Sequence, residues 1–343
     1  MRVHLVDPAA YTPPYDRALA AALVRAGADV ELWTSAFGYG DVPDAPGVRV
    51  REAFYRWAPS RARRSARLAQ HVPDMLRYAR AARAADVVHF QWLPVQYLDG
   101  LLLPRVHPRV LTAHDVLPRE PKPGQLAAQR RLYARMDAVV VHSEHGAARL
   151  RGLGVGNVHV IPHGPLDALT SPPAGAPLPP ELRPGSPTVL FFGLIRPYKG
   201  LDVLLDAWRR ADRPPGARLW VVGMPRMPVA IDAPDTDAAL RFVSGPELAA
   251  TFRAADLVVL PYREIDQSGV LYTALAFEKP LLLSAVGGFP EIEGAALVAP
   301  GDADALAAKL SELLRDPPAP AAAAVSWDEI ARRTLALYAA LQT

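Results

Sequence analysis

The sequence predicts an α/β protein with two parallel-sheet domains. Its 343 residues suffice for two domains of ordinary size. Short, almost continuously apolar segments alternate with longer amphipathic ones, as expected for strands that helices cover on both faces of a sheet. The alternation stops once, in a stretch with eight prolines at residues 165–187, and then begins again. Proline removes backbone donors and restricts φ, so this stretch predicts a linker between two domains.

The first half contains the following elements in order. Residues 1–7 (MRVHLVD) predict a buried strand, residues 16–27 a helix that ends at a glycine, and residues 29–34 a second strand. Further strands are predicted at residues 86–90, 109–113, 137–142 and 157–162. The first domain is therefore predicted to span residues 1–165.

The second half repeats this pattern after a linker at residues 166–187. Its domain is predicted at residues 188–325, followed by a last helix at residues 326–343. Strands are predicted at residues 188–193, 218–223, 240–243, 256–262 and 280–285, and helices from Leu201 and at residues 246–255, 270–278 and 327–342. Parallel sheets of this kind bind ligands at the carboxyl ends of their strands, so the predicted site is the cleft between the two halves.

Composition excludes several classes of protein. The absence of cysteine excludes a disulfide scaffold, a thiolate metal site and a cysteine nucleophile. No apolar run approaches the ~18 residues of a membrane span, and the N-terminus lacks the basic-then-apolar order of a signal peptide, so a cytoplasmic protein is predicted. The 38 basic and 35 acidic residues nearly balance, which does not favour nucleic acid as a partner.

Common catalytic and phosphate-binding motifs are missing from the sequence. No G-x-G-x-x-G follows the first strand, where Pro13 and Pro14 stand instead, and no Walker motif, H-E-x-x-H or G-x-S-x-G occurs. Nicotinamide oxidoreductases, P-loop enzymes and α/β-hydrolases therefore lose support. Four histidines lack the spacing of a zinc site, so no metal is predicted; they are His142, His145, His159 and His163.

Arginine is concentrated at residues 49–83, with ten arginines against only Glu52 and Asp74. One interpretation is a solvated helix face. The other is a basic surface that meets an acidic acceptor or anionic lipid and so places the protein peripherally at a membrane, because clustered arginines attract anions. The arginines are Arg49, Arg51, Arg56, Arg61, Arg63, Arg64, Arg67, Arg77, Arg80 and Arg83.

The strongest local signal is the run FFGLIRPYKG at residues 191–200. A predicted strand ends at Gly193, and Arg196 and Lys199 stand in the tight loop that opens the next helix. Arginine offers a planar fork of donors to phosphate oxygens, and lysine adds a mobile point charge. These residues favour a phosphate site over a loop with ordinary surface cations.

A second signal, DQSGV at residues 266–270, opens a helix shortly after the strand predicted at 256–262. Free backbone amides and the helix dipole make such a start attractive to anions, whereas a plain serine N-cap is the ordinary alternative. Both signals follow strands of the second domain at their carboxyl ends. The sequence therefore predicts that Arg196, Lys199 and the amides of Ser268, Gly269 and Val270 converge on one diphosphate.

These residues carry a resemblance to a known family. The runs FFGLIRPYKGLDVLLDAW, WVVG and VVLPYREIDQSGVLYTALAFEKPLLLSAVGGFPE resemble the nucleotide-sugar domain of family 4 glycosyltransferases, and DVVHFQW, TAHD and VHVIPHG match the first domain more loosely. The resemblance implies the GT-B architecture, in which two Rossmann-like domains face a central cleft. It also implies a retaining hexosyltransferase that uses a nucleoside-diphosphate sugar without a metal or a cofactor.

By this resemblance, Arg196 and Lys199 neutralise the donor pyrophosphate beside Gly193, and the Ser268–Val270 amides bind it from the other side. His114 in TAHD matches the histidine that reaches the transferred sugar. The last helix crosses back to the first domain in this architecture.

One departure from the family concerns its Glu-x7-Glu pair, whose positions fall on Ile265 and Thr273 here. Glu264 and Asp266 flank the first position, and either carboxylate is a candidate for its role. Thr273 can make one hydrogen bond to ribose but not the bidentate pair of a carboxylate. Glu291 in GGFPE is a further donor-side candidate, with a plain loop residue as the alternative.

The acceptor-side candidates are aromatic residues and a histidine. Tyr11 and Tyr15 frame a proline-containing loop where the family often has glycines, and His89 and Trp92 end a predicted strand. Packing is the alternative role for His89 and Trp92. Neither the acceptor nor the oligomeric state follows from the sequence. Two other functions stay open: a nucleotide-sugar epimerase or hydrolase of the same architecture, and a noncatalytic nucleotide-sugar-binding partner.

Overall fold

The computed structural model describes residues 1–58, 64–118, 121–173, 175–321 and 325–343. It divides into two units, the first comprising Met1–Gly164 with Val325–Thr343 and the second Pro165–Ala324. Each unit contains one parallel sheet and its helices. The C-terminal helix belongs to the first unit.

In the described residues of the first unit, seven strands pair in the order β3-β2-β1-β4-β5-β6-β7, and every pair is parallel. The order reverses direction between β1 and β4, so the loops after these two strands diverge and leave a crevice at the carboxyl edge. The strands are β1 Arg2–Asp7, β2 Asp29–Ser35, β3 Arg49–Phe54, β4 Val87–Phe90, β5 Arg109–Thr112, β6 Ala138–Val141 and β7 Val158–Val160.

Helices connect these strands, as parallel pairing requires. They are α1 Pro13–Arg25, α2 Arg64–Ala81, α3 Gln96–Leu102, α4 Gln125–Tyr133 and α5 Glu144–Gly152. The core between sheet and helices contains large side chains that are fully buried, among them Phe54, Tyr78, Phe90 and Tyr133.

The C-terminal helix Trp327–Gln342 packs against the rest of the first unit. Its Asp328 pairs with Arg25 of α1 at 2.7 Å, and its Tyr338 hydroxyl lies 2.6 Å from His89 Nδ1. Trp327 packs so closely on Gly164 that a Cβ there would lie 2.5 Å from the indole ring. Glycine is therefore required at the end of the VHVIPHG run.

In the described residues of the second unit, six parallel strands follow the order β10-β9-β8-β11-β12-β13, which reverses direction between β8 and β11. The strands are β8 Thr188–Phe192, β9 Arg218–Val222, β10 Thr236–Ala239, β11 Leu257–Leu260, β12 Leu281–Ser284 and β13 Ala296–Val298. The helices are α6 Leu201–Arg210, α7 Gly245–Ala254, α8 Gly269–Ala276 and α9 Ala303–Leu313, and the C-terminal helix of the first unit is α10. Trp208 and Phe191 lie in the buried core of this unit.

The proline-rich stretch packs on the second unit. The Arg253 guanidinium donates to the carbonyls of Thr170 and Pro172 at 2.6 Å, and the Leu166 amide donates to the Tyr272 carbonyl. Arg183 at the far end of the stretch pairs with the buried Asp237 at 2.7 Å. Hydrogen bonds from arginine side chains thus help to hold a stretch whose prolines have no backbone N–H to donate.

Two predicted elements differ from the structure, and some observed elements were not predicted. The strand predicted at residues 240–243 is wrong: the strand is Thr236–Ala239, and Leu240 and Phe242 after it are exposed. The strand Arg49–Phe54 was not predicted, because its alternating arginines resemble a solvated segment. The first helix begins at Pro13 rather than at residue 16, since proline fits the first helical turn.

No helix in the described part of the chain has the length and apolar composition needed to cross a membrane.

Candidate active site

The loop after β8 brings the predicted phosphate-binding residues together. Gly193 has φ +111°, and a Cβ there would lie 2.8 Å from Lys199 Nζ and 2.9 Å from Val270 Cγ2. The lysine ammonium and the start of α8 therefore flank the same glycine, although 71 residues separate Lys199 from Val270. Adding any side chain at Gly193 would displace one of them.

The two cations have different surroundings. Lys199 is 6% exposed, and its Nζ lies over the Tyr262 ring, 5.0 Å from the centroid. Arg196 is half-buried, and no carboxylate of the described residues pairs with it. The nearby Asp202 is taken by Arg263 at 2.6 Å, which lowers the pKa of that carboxyl. Arg196 and Asp202 therefore do not neutralise one another.

The start of α8 has the geometry of an anion site. The Ser268 hydroxyl caps the helix by accepting from the Leu271 amide at 3.4 Å and lies 3.5 Å from the Tyr262 hydroxyl. The amides of Gly269 and Val270 lie in the first turn of α8, where backbone amides have no carbonyl partner within the helix. The helix dipole adds positive potential there. Ser268, Gly269 and Val270 therefore present donors beside Lys199.

Three glycines hold the loops at this edge of the sheet. A Cβ at Gly200 would lie 2.1 Å from the Pro261 carbonyl oxygen, and all three glycines have positive φ. At Gly223 and Gly287 a Cβ would lie 1.9 Å from the carbonyl oxygens of Gly193 and Ile265, respectively. Gly223 and Gly287 were not among the predicted site residues, although each glycine closely follows an apolar strand.

The donor-side carboxylates and Thr273 occupy different environments. Ile265 and Asp266 are each 4% exposed, whereas Glu264 and Glu291 are exposed. The Thr273 hydroxyl donates to the Gly269 carbonyl at 2.8 Å, so its proton is used inside α8 and its lone pairs are what it can offer a ligand.

In the first unit, His114 follows β5 and His142 follows β6, and the two rings meet. His142 Nε2 lies 3.2 Å from His114 Nδ1, and His142 Nδ1 lies 2.9 Å from the Ile161 carbonyl oxygen. Burial lowers the pKa of His142 to about 4 and that of His114 well below its ordinary value. Both imidazoles are therefore neutral near pH 7.

Aromatic rings surround this histidine pair. The Trp92 ring stacks on His114 with centroids 5.2 Å apart, and Tyr11 lies 4.4 Å from Trp92. Tyr15 is 4.8 Å from His114 and 4.6 Å from His163, which was not among the predicted site residues. The structure thus joins three acceptor-side candidates with His114.

His89 stands apart from the other candidates. Its Nδ1 is paired with the Tyr338 hydroxyl and its Nε2 with the Thr112 hydroxyl at 2.7 Å. Burial lowers the pKa of His89 to about 3. Both ring nitrogens are therefore used in joining β4, β5 and the C-terminal helix.

A buried acid pair shapes the Tyr11 loop. The Asp7 carboxylate at the end of β1 accepts from the amides of Ala9 at 3.0 Å and Tyr11 at 2.5 Å. Asp16 from α1 hydrogen-bonds Asp7, and burial together with the Asp7 charge raises the pKa of Asp16 well above its ordinary value. Asp16 therefore holds its proton to a higher pH than an ordinary aspartic acid does, and in that protonated form it donates to Asp7.

Among the described residues, no group of three or more His, Asp or Glu side chains is placed to hold a metal ion.

Family models match both halves of the chain. The Glycosyltransferase Family 4 model matches residues 17–165, and the model described as Glycosyl transferases group 1 matches residues 186–316. A D-inositol 3-phosphate glycosyltransferase of Xylanimonas cellulosilytica is 31% identical, with 94% of this chain and 89% of the relative covered. This chain belongs to glycosyltransferase family 4.

Another relative matches only in part. A GDP-mannose:glycolipid 4-beta-D-mannosyltransferase of Xanthomonas campestris is 41% identical over 102 residues, which cover 27% of this family 4 chain and 29% of the relative. The chain thus spans less than a third of that relative's length.

Solved structures establish the fold as GT-B. The sucrose-phosphate synthase of Thermosynechococcus elongatus has a TM-score of 0.74 at 21% identity, with 99% of each chain covered. HepE from Anabaena in complex with UDP-glucose has a TM-score of 0.65 at 17% identity, with 99% of this chain and 95% of that chain covered. The two-domain parallel-sheet class predicted from the sequence is confirmed.

Proposed function

We propose that this family 4 chain is a retaining hexosyltransferase that moves a sugar from a nucleoside-diphosphate sugar to an acceptor hydroxyl, without a metal ion. The observation that carries the proposal is that Lys199 and the start of α8 flank Gly193, with Arg196 three residues further along the same loop. A diphosphate placed there receives two cations and several amide donors.

The chemistry needs charge stabilisation on the leaving group. As the bond between the anomeric carbon and the phosphate oxygen breaks, negative charge grows on the diphosphate. Fixed donors in a partly buried site stabilise that charge without having to reorganise, which is the role a divalent cation plays in other enzymes. Arg196 and Lys199 take this role in the proposal.

The resemblance to family 4 supplies the stereochemical course. The acceptor oxygen forms its bond to the anomeric carbon on the face from which the diphosphate departs. The acceptor proton passes to an oxygen of the departing β-phosphate, so no protein nucleophile is needed. The products are the glycosylated acceptor and a nucleoside diphosphate.

The relatives support the class of donor. Their names mention GDP-mannose and UDP-glucose, both of them hexoses on a nucleoside diphosphate. The diphosphate is the part that these sugar donors share, and in the proposal the residues around Gly193 bind that part.

A thermal-shift screen with UDP-, GDP-, ADP- and dTDP-hexoses tests the proposal first. A donor at 100 times its Kd adds about 2.7 kcal/mol to the free energy of unfolding. The donor that stabilises the protein is then incubated with candidate acceptors, and the product is analysed for anomeric configuration by NMR. Inverted configuration, or sugar release without transfer, would contradict the proposal.

A further inference from the structure

The acid pair, Asp7 and Asp16, is buried beside the Tyr11 loop, which comprises residues 8–12. Asp7 ends β1 and is 0% exposed, and Asp16 near the start of α1 is 1% exposed. Both carboxyls contact Thr12: Asp7 Oδ2 accepts from its amide at 3.3 Å, and Asp16 Oδ1 accepts from its hydroxyl at 3.4 Å. The two carboxyls also hydrogen-bond each other, and this bond needs a proton because ionised carboxylates only accept.

The Asp7 carboxylate determines the shape of the Tyr11 loop. Three amides of the loop donate to it, those of Ala9 at 3.0 Å, Tyr11 at 2.5 Å and Thr12 at 3.3 Å. Ala10 lies between these donors with φ +48°, a left-handed conformation that residues with a Cβ rarely adopt. The hydrogen bonds to Asp7 thus hold the loop in a strained conformation that it would otherwise leave.

The Tyr11 loop is connected to His114 through aromatic rings. Tyr11 is 61% exposed, and its ring lies 4.4 Å from that of Trp92, which stacks on His114 with centroids 5.2 Å apart. The Trp92 indole also donates to the Thr12 hydroxyl at 3.0 Å. A movement of Thr12 therefore changes the position of Trp92 in the stack that ends on His114.

The charges near the acid pair do not compensate a second carboxylate. Among the described residues, neither Asp7 nor Asp16 forms an ion pair. Burial raises the pKa of both carboxyls, and for Asp16 the Asp7 charge adds to this effect. Arg17, the next residue on α1, lowers the pKa of Asp16 by less than these effects raise it.

The other titratable groups around the acid pair are uncharged near pH 7, because burial raises the pKa of the tyrosine and lowers that of the histidines. They are Tyr55 after β3 and the three histidines around Tyr15, namely His114, His142 and His163. The uncharged Thr34 of β2 lies beside Asp7, and the uncharged Trp327 of α10 lies against Tyr15. Arg25 and Asp328, which join α1 to α10, neutralise each other.

Loss of the proton that the acid pair shares would leave two negative charges in contact inside the protein. Two adjacent carboxylates do not both stay ionised without water or a cation. Asp7 is already held by the loop amides, so the newly ionised Asp16 has to reach water. Because α1 is packed against α10, the Tyr11 loop is the part that can move aside.

We propose that the acid pair is a proton-operated latch for the Tyr11 loop. While Asp7 and Asp16 share one proton, the loop is closed and Tyr11 lies against Trp92. As the pH rises, the proton passes to solvent, the loop opens and the ring stack on His114 loosens. The latch does not depend on the proposed function, because it follows from the first unit alone.

Two NMR titrations of the wild-type protein between pH 6 and 9 test the latch. Carbon-13 labelling of aspartate follows the ionisation of the pair, whose resonances are identified with Asp7→Asn and Asp16→Asn. Labelling with 5-fluorotryptophan follows Trp92, which is identified with Trp92→Phe, and its H2O/D2O isotope shift reports the exposure of the ring to water. We expect one carboxyl of the pair to ionise in this range and the exposure of Trp92 to increase with the same midpoint.

Asp16→Asn should keep the latch closed. The asparagine amide donates to Asp7 at every pH, so the Trp92 isotope shift should stay at its pH 6 value up to pH 9. The matched control is Asp44→Asn, which removes an exposed carboxyl of the same unit and should keep the wild-type change. Melting temperatures at pH 6 show whether the variants are folded, and the two wild-type midpoints test the latch even if Asp16→Asn does not fold.

Each of three results would overturn the inference. The first is that neither carboxyl of the pair ionises between pH 6 and 9. The second is that the exposure of Trp92 stays constant while the pair ionises. The third is that a folded Asp16→Asn protein shows the same increase in Trp92 exposure as the wild type.

Discussion

At the scale of single residues, the cations around Gly193 carry the proposed chemistry. Lys199 is buried beside Val270, and Arg196 has no acidic partner in the described residues. Arg196→Ala and Lys199→Met should each lower kcat. Each variant removes a charge-assisted hydrogen-bond donor to the diphosphate, which raises the activation free energy by about 2–4 kcal/mol. Rates are measured with the donor identified in the thermal-shift screen.

Arg209→Ala is the control for these variants, since this exposed arginine pairs with acids on the surface of the same unit. Its rate should match the wild type. Melting temperatures should change little in all three variants. Wild-type rates in both Arg196→Ala and Lys199→Met would show that the diphosphate binds elsewhere.

At the scale of elements, the histidines that end neighbouring strands make the first unit sensitive to acid. Burial lowers the pKa of His89 to about 3 and of His142 to about 4, and it lowers the pKa of His114 and His163 well below the ordinary value. Below about pH 6.5 the unfolded chain binds protons at these histidines and the folded chain does not. The free energy of unfolding should then fall by up to about 1.4 kcal/mol per histidine and pH unit.

Asp16 acts in the opposite direction, because its raised pKa keeps it protonated in the folded chain at a pH where the unfolded carboxyl has ionised. Its contribution is lost as the pH rises, as are those of Asp7 and Asp167, whose pKa values burial also raises, but four histidines outweigh three carboxyls. Urea unfolding at pH 8, 6.5 and 5.5 should therefore show a steep loss of stability below pH 6.5. A slope of zero in the wild type would contradict the prediction.

A second prediction at the scale of elements concerns the arginine-rich stretch at residues 49–83. The structure pairs Arg49 with Asp29 at 2.7 Å and Arg51 with Glu31 at 3.6 Å, so acids outside the stretch neutralise part of its charge. Arg56, Arg80 and Arg83 are exposed and form no ion pair in the described residues. Arg61 and Arg63 lie outside the described residues, as does the side chain of Arg64.

Apolar side chains accompany these arginines. Trp57 is 81% exposed, and Leu68 and Leu76 on α2 are exposed at a spacing of two helical turns. Arginines next to exposed apolar side chains favour an anionic membrane surface, to which each contributes about 1 kcal/mol. Wild-type protein should co-sediment with anionic vesicles at physiological salt, and reversing Arg56, Arg80 and Arg83 to glutamate should abolish this binding.

The control variant replaces three exposed arginines of the second unit with glutamate, which makes the same change in net charge. They are Arg209, Arg210 and Arg315. This variant should bind vesicles as the wild type does. Donor binding should be unchanged in both sets. Wild-type protein that stays in the supernatant would identify the stretch as a solvated surface.

At the scale of the whole molecule, the proposed mechanism makes activity independent of divalent cations. Fixed cations and helix amides stand around Gly193, and the described residues contain no cluster suited to a metal. Glycosyl transfer should therefore persist in excess EDTA. A requirement for Mg²⁺ or Mn²⁺ that EDTA abolishes would contradict the electrostatic account.

The proposed donor-side residues were predicted from the sequence because they are local. Gly193, Arg196 and Lys199 stand within seven residues of one another, directly after an apolar strand, and each residue type has a clear chemical use there. Edge strands were harder to predict. Arg49–Phe54 and Thr236–Ala239 lie at sheet edges and are only partly buried, so their composition resembles that of a solvated segment.

By itself the sequence determined the fold class, the alternation of strands and helices, and the loop that we propose to bind phosphate, because hydrophobic period and turn chemistry act over a few residues. Only the tertiary structure decided that His142 and His163 join His114, and that Gln91 is buried without a partner. These residues come from loops far apart in the chain. Strand order places the loops side by side, and a linear pattern carries no direct record of strand order.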